Sequence, residues 1–131
     1  MNIVVYNMAM RFSELDDSQQ TLIRAYEPGC VRINNKQFTH SIIISAGQIQ
    51  PWDIQTADNI EAEAILDAIS PTTEVLLIGT GSQQQILSTT LLKHFLLKGI
   101  GVEVMGSAAA SRTYNILLSE GRQVAVALIV P

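Results

Sequence analysis

The stretch Val75-Leu76-Leu77-Ile78-Gly79-Thr80-Gly81-Ser82 decides the fold: an apolar run passes straight into a corner of glycines and hydroxyls. The same order returns twenty-seven positions later in Val102-Glu103-Val104-Met105-Gly106-Ser107. Short, largely apolar strands are expected where a sheet is covered on both faces. Beyond the first corner, Leu87, Leu91, Leu92, Phe95 and Leu96 recur at helical spacing up to a stop at Lys98-Gly99. Beyond the second, Ala109, Thr113, Ile116 and Leu117 do the same up to Gly121. Two strand-turn-helix units in succession predict βαβ crossovers and a parallel pair of strands. A period seen twice is too little for a solenoid.

The last apolar run, Val124 to Val130, has no polar face, which predicts a strand near the centre of the sheet. Its small Ala125 and Ala127 would let a helix approach that face closely. Upstream, Ile60, Ala64, Ile65, Ala68 and Ile69 predict one helix from an N-cap at Thr56 to a stop at Ser70-Pro71. The N-terminal third carries β signals: Leu22 to Tyr26, a Pro28-Gly29 turn, Val31 to Ile33, an Asn34-Asn35 hairpin turn, Gln37 to Ser45, and a short Gln48 to Gln50. Ser13 to Gln20 lacks periodicity, so residues 1–20 read as a polar lead-in. The expectation is an α/β fold over residues 1–131: a single three-layer domain with a mixed central sheet, helices packed on it and a β-rich N-terminal portion.

Composition restricts the partners. Apolar residues make up 47% and charged residues 15% of the chain, too hydrophobic for disorder and only lightly charged at the surface. Eight basic against twelve acidic side chains leave a net charge of −4, which repels a nucleic-acid backbone. Cys30 is the only cysteine, so no internal disulfide forms and a reducing compartment is expected; without a basic neighbour in sequence it reads as a small buried hydrophobe. The apolar run that includes Ala125 to Val130 is far short of the roughly twenty residues of a membrane-spanning helix. From Asp53 to Glu74 there are six acids and no bases, read as a solvated helix face rather than a docking patch.

If the strands ending at Gly79 and Gly106 are parallel neighbours, both corners open onto one edge of the sheet, where open α/β sheets bind ligands. Gly79, Thr80, Gly81 and Ser82 would offer amides and hydroxyls on one side. Gly106, Ser107 and the small Ala108-Ala109-Ala110 turn would offer them on the other. Arg112 follows close enough to supply positive charge for a carboxylate or phosphate, and Asn115 lies three residues on, facing either the crevice or the sheet. Tight turns and helix caps explain the same residues equally well. No cofactor is expected: Gln84 stands where a dinucleotide fingerprint has its third glycine, and Gln83-Gln84-Gln85 replaces the Walker lysine segment. His40 and His94 lack ligand-spaced partners, so surface or packing roles are expected. Trp52 either roofs the crevice or plugs the core, with the plug preferred. Glu120-Gly121-Arg122 reads as a C-cap followed by a surface ion pair.

At Ile78-Gly79-Thr80-Gly81, and from Val102-Glu103-Val104-Met105 through Ala109-Ala110-Ser111-Arg112-Thr113-Tyr114-Asn115-Ile116-Leu117 to Glu120-Gly121-Arg122-Gln123-Val124, the chain resembles the Mth-type domain family of unknown function. That family includes mitochondrial complex I assembly factor three and an adipogenesis-associated protein. Tyr26, Gly29, Ile33, the Ile42-Ile43-Ile44 strand and Trp52 extend the resemblance, which runs from about Leu22 to Ile129. It implies a three-layer α/β fold with a mixed sheet and no established enzymatic activity. The chain departs from the family pattern at Gly106, where relatives carry an acid, at Ser107, commonly Thr, and at Ser111, often Cys. With no Arg- and Ser-rich presequence, a cytoplasmic homologue is expected. Three functions follow in order of preference: a non-catalytic assembly or interaction domain with a protein partner or a second copy of itself, a binder of a small anion, and last an enzyme.

Overall fold

A computed structural model describes residues 21–131. Three short strands, β1 (Ile23–Glu27), β2 (Cys30–Ile33) and β3 (Lys36–Phe38), form an antiparallel sheet in that order. The second sheet contains β4 (Ile42–Ser45), β5 (Gln48–Pro51), β6 (Val75–Gly79), β7 (Gly101–Met105) and β8 (Val124–Leu128), ordered β5-β4-β8-β6-β7. β6 runs parallel to both β7 and β8, whereas β4 is antiparallel to β8 and β5, so the sheet is mixed. The helices are α1 (Ala62–Ala68), α2 (Thr89–Leu96) and α3 (Ser107–Ser119), preceded by a 3-10 turn at Ala57–Asn59.

The sheet separates two apolar layers, as the period-2 geometry of its strands demands. Ile43, Leu76, Ile78, Ala125, Ala127 and Ile129 face a layer holding Trp52, Ile60, Ile65 and Phe95. On the opposite face, Ile42, Ile44, Leu77, Val124, Val126 and Leu128 pack with Ala110 and Tyr114 of α3 and with Ile23, Val31 and Ile33 of the small sheet. β8 is central and buried along its whole length, as its unbroken apolarity requires. The mixed sheet, the parallel β6–β7 pair and the strand-rich N-terminal portion agree with the sequence reading. Trp52 belongs to the core, and its buried indole N–H finds no acceptor among the described residues.

Five details differ. Gln37 to Ser45 is two strands in different sheets, because at Thr39 to Ser41 the chain leaves one sheet for the other. Buried Ser41 anchors that crossing, its hydroxyl accepting from the Val130 amide at 2.9 Å and its carbonyl from Trp52 at 2.9 Å. The helix expected from Thr56 is broken: Ile60 and Glu61 are extended, which turns Ile60 into the core, and Thr56 makes no side-chain cap. Over α3 the buried face is Ser107, Ala110, Ser111 and Tyr114, about one position off the expected stripe, and Ile116 is exposed. Helix α3 covers the valine face of β8; the Ala125 and Ala127 face instead shares its layer with Trp52. Cys30 is half-buried, accepting a contact from Gln37 Nε2 at 3.4 Å, rather than a core residue. Residues 1–20, expected as a polar lead-in, lie outside the described residues.

The hairpins use the turn chemistry of their residues. Ala46 (φ 50) and Gly47 (φ 79) are both left-handed, as the two-residue turn joining β4 to β5 requires. Gly121 (φ 78) ends α3, and Arg122 pairs with Glu74 at 3.5 Å across the surface.

Burial pushes the Tyr114 phenol up to about 12. Because the folded chain then holds a proton that the unfolded chain releases above about pH 10, stability is intact below that pH and falls as pH rises towards 12, with a limiting slope of about 1.4 kcal/mol per pH unit. Denaturant titrations between pH 9 and 12 should register this decline, and Tyr114→Phe should flatten it.

Candidate functional site

Parallel pairing brings the two corners together. Gly79 at the end of β6 stands opposite Met105 of β7 and Leu128 of β8. A methyl group at Gly79 would lie 2.8 Å from the Leu128 side chain and 2.9 Å from the Ser107 Cα, so only glycine admits the start of α3 this close. Gly81 (φ +103) then turns the chain back over that helix.

Ser107, wholly buried, connects the corners. Its hydroxyl donates to the Ile129 carbonyl at 2.8 Å and accepts from the Gly81 amide at 2.9 Å, while its own amide donates to the Gly81 carbonyl at 2.8 Å. Thr80 is used as fully: its amide donates to the Met105 carbonyl at 2.9 Å, and its hydroxyl donates to the Gln83 carbonyl at 2.8 Å and accepts from the Gln85 amide at 3.0 Å. Ser111 donates to the Ser107 carbonyl at 2.8 Å. Gly79, Thr80, Gly81, Gly106 and Ser107 thus converge on one rim, but the polar groups of Gly81 and Ser107 bind each other, and those of Thr80 are bonded to Met105, Gln83 and Gln85. Ser82 is exposed in the following loop. That loop also departs from expectation, since α2 begins only at Thr89, capped by Ser88 accepting from the Leu91 amide at 3.1 Å. The first corner therefore presents no helix N-terminus.

Arg112 and Asn115 lie on the flank of α3 that meets β1. The Asn115 amide accepts from the Ile23 N–H at 3.0 Å and donates to the Ile23 carbonyl at 2.7 Å, clamping the small sheet to the helix. Exposed Arg112 lines a cleft there with Arg24 and Tyr26. Burial raises the Tyr26 phenol above its ordinary range, with the Ser107 hydroxyl pulling the other way. Its oxygen reaches the Ile129 carbonyl at 3.5 Å. Arg24 and Tyr26 escaped the sequence reading because more than eighty positions separate them from Arg112. The available hint was the spacing of Arg112 and Asn115, one helical turn apart on one face. His40 packs edge-on against Phe38 at 5.9 Å and His94 is exposed.

Ser107→Ala leaves the Gly81 amide and Ile129 carbonyl without this buried hydroxyl, a loss of about 1–3 kcal/mol in urea unfolding. Gly79→Ala places a methyl against backbone and should lower the melting temperature further, while the exposed Ser82→Ala leaves it unchanged.

Known proteins share this framework. Residues 23–129 match the model of a family described as "Protein of unknown function (DUF498/DUF598)". The chain is 32% identical over 120 residues to the NADH dehydrogenase [ubiquinone] 1 alpha subcomplex assembly factor 3 of Xenopus tropicalis, covering 90% of this chain and 66% of that one. It spans just under two thirds of that relative's length. It is also 32% identical over 111 residues to a 13 kDa major membrane protein of Francisella tularensis, covering 81% of this chain and 88% of that one. The solution structure of a Bordetella pertussis protein, described as a Mth938-like domain, superposes with a TM-score of 0.74 at 32% identity, covering 84% and 85% of the two chains. With its two-sided mixed sheet and its match over nearly every described element, the chain belongs to the DUF498/DUF598 family of Mth938-like domains.

Proposed function

We propose that this chain is a non-catalytic interaction domain that holds another protein during assembly. The observation carrying the reading is the contrast between its two crossovers. At the two corners the Thr80 and Ser107 hydroxyls and the Gly81 amide are bonded within the protein. Along the β6–α2–β7 crossover, large apolar side chains stand in solvent: Ile86 is 98% and Leu97 84% exposed. Helix α2 buries only Phe95, so it presents most of its surface outward. Scattered apolar side chains are ordinary, but a nearly naked isoleucine beside a thinly anchored helix suits a surface covered by a partner. The name of the amphibian relative supports the same class of role.

The reading includes a cytoplasmic location, supported by the lone cysteine. The experiment is affinity capture from the native cell, comparing the natural chain with an Ile86→Asp/Leu97→Asp variant. The natural chain should recover a protein partner in stoichiometric amount, and the variant should lose it while keeping its melting temperature. Repeated recovery of the natural chain alone, or undiminished capture by the variant, overturns the proposal.

A further inference from the structure

The cleft between β1 and the first half of α3 has a volume of about 100 Å³. Arg24 and Tyr26 line it from the strand, and Ala108, Ser111 and Arg112 from the helix. Among the described residues no carboxylate contributes to its wall. Among the described residues the one ion pair is Arg122 with Glu74, so neither Arg24 nor Arg112 is paired with an acid there.

Backbone contacts fix where both arginines leave the main chain. Asn115, one turn after Arg112 on α3, grips both polar groups of Ile23, the residue before Arg24. The register of β1 with β2 shifts between Ile23 and Ala25, making Arg24 the extra residue of a bulge, a device that re-aims a side chain out of the ladder. The hydroxyls nearby are committed, Ser111 to the Ser107 carbonyl at 2.8 Å and Tyr26 towards the Ile129 carbonyl at 3.5 Å, which leaves recognition to the guanidinium groups. Arg24 and Arg112 both line this one small space, and an oxyanion held there accepts the forked hydrogen bonds that guanidinium groups donate.

We propose that this cleft binds one phosphate group between Arg24 and Arg112. A dianion matches the two fixed charges, and the small volume admits the phosphate of an ester while its remainder stays in solvent. The source is either inorganic phosphate or a phosphomonoester. The site differs from the glycine corner, where the Thr80 and Ser107 hydroxyls and the Gly81 amide are bonded internally, and it stands independently of the assembly role.

The test is an NMR titration of the full chain with inorganic phosphate and, separately, with O-phosphoserine, holding ionic strength constant with sodium chloride. Saturable binding is expected, with shifts at residues 24, 108 and 112. Arg24→Gln and Arg112→Gln should each weaken it by about tenfold or more, and the double variant should abolish it. Both side chains are exposed, so melting temperatures without phosphate should match the natural chain's. Arg112→Lys, which keeps the charge but loses the fork, should also bind more weakly. Tighter binding of O-phosphoserine assigns the site to an ester, and tighter binding of inorganic phosphate to the free ion; either sustains the proposal. A response no larger than that to chloride, or full binding by the folded double variant, overturns it.

Discussion

The hydroxyl of Ser107 is the joint on which the arrangement depends. It stands where three strands end, accepting a hydrogen bond from the amide beyond β6 and donating one to the carbonyl beyond β8. One small side chain thereby satisfies two buried backbone groups that the sheet ladder has run out of partners for. It fits because Gly79 has no side chain to oppose it. The geometry that brings the corners within hydrogen-bonding distance also occupies the Gly81 amide and the Ser107 hydroxyl, so for these groups closeness and chemical availability oppose each other.

This explains why the sequence supported the architecture better than the site. Val75 to Gly79 and Gly101 to Met105 advertise parallel strands, the first buried and the second a partly exposed edge, and Val124 to Leu128 advertises a central one. Apolar pattern is a local property with a direct spatial meaning. Breaks were harder. Ile60 sits at helical spacing but reaches the core from an extended link, because burying its side chain outweighs continuing one helix. At the corners, glycine and serine mark a sharp turn whether it is open to a ligand or closed on itself, and only the partners of Thr80 and Ser107 distinguish the cases. Arg24 and Arg112 were invisible as a pair because strand β1 reaches α3 only through tertiary packing.

The two sides of the central sheet are attached with unequal firmness. Helix α3 buries Ser107, Ala110, Ser111 and Tyr114 and is fastened at both its start and its middle. Helix α2 buries one phenylalanine and follows a long exposed segment. Local opening concentrates where few apolar contacts must be broken, which places the adaptable surface on the α2 side and the fixed frame on the α3 side. A domain that adjusts to a bound protein without disturbing its own sheet has use for that division.

The side-chain amide of Asn115 has a further effect on β1. By offering Ile23 both a donor and an acceptor, it occupies the place that a neighbouring strand's backbone would take. The outer margin of the small sheet is therefore closed at that residue, and an incoming extended chain must first evict the asparagine. A single polar residue on a helix thus guards an otherwise open β-edge against fibrous stacking.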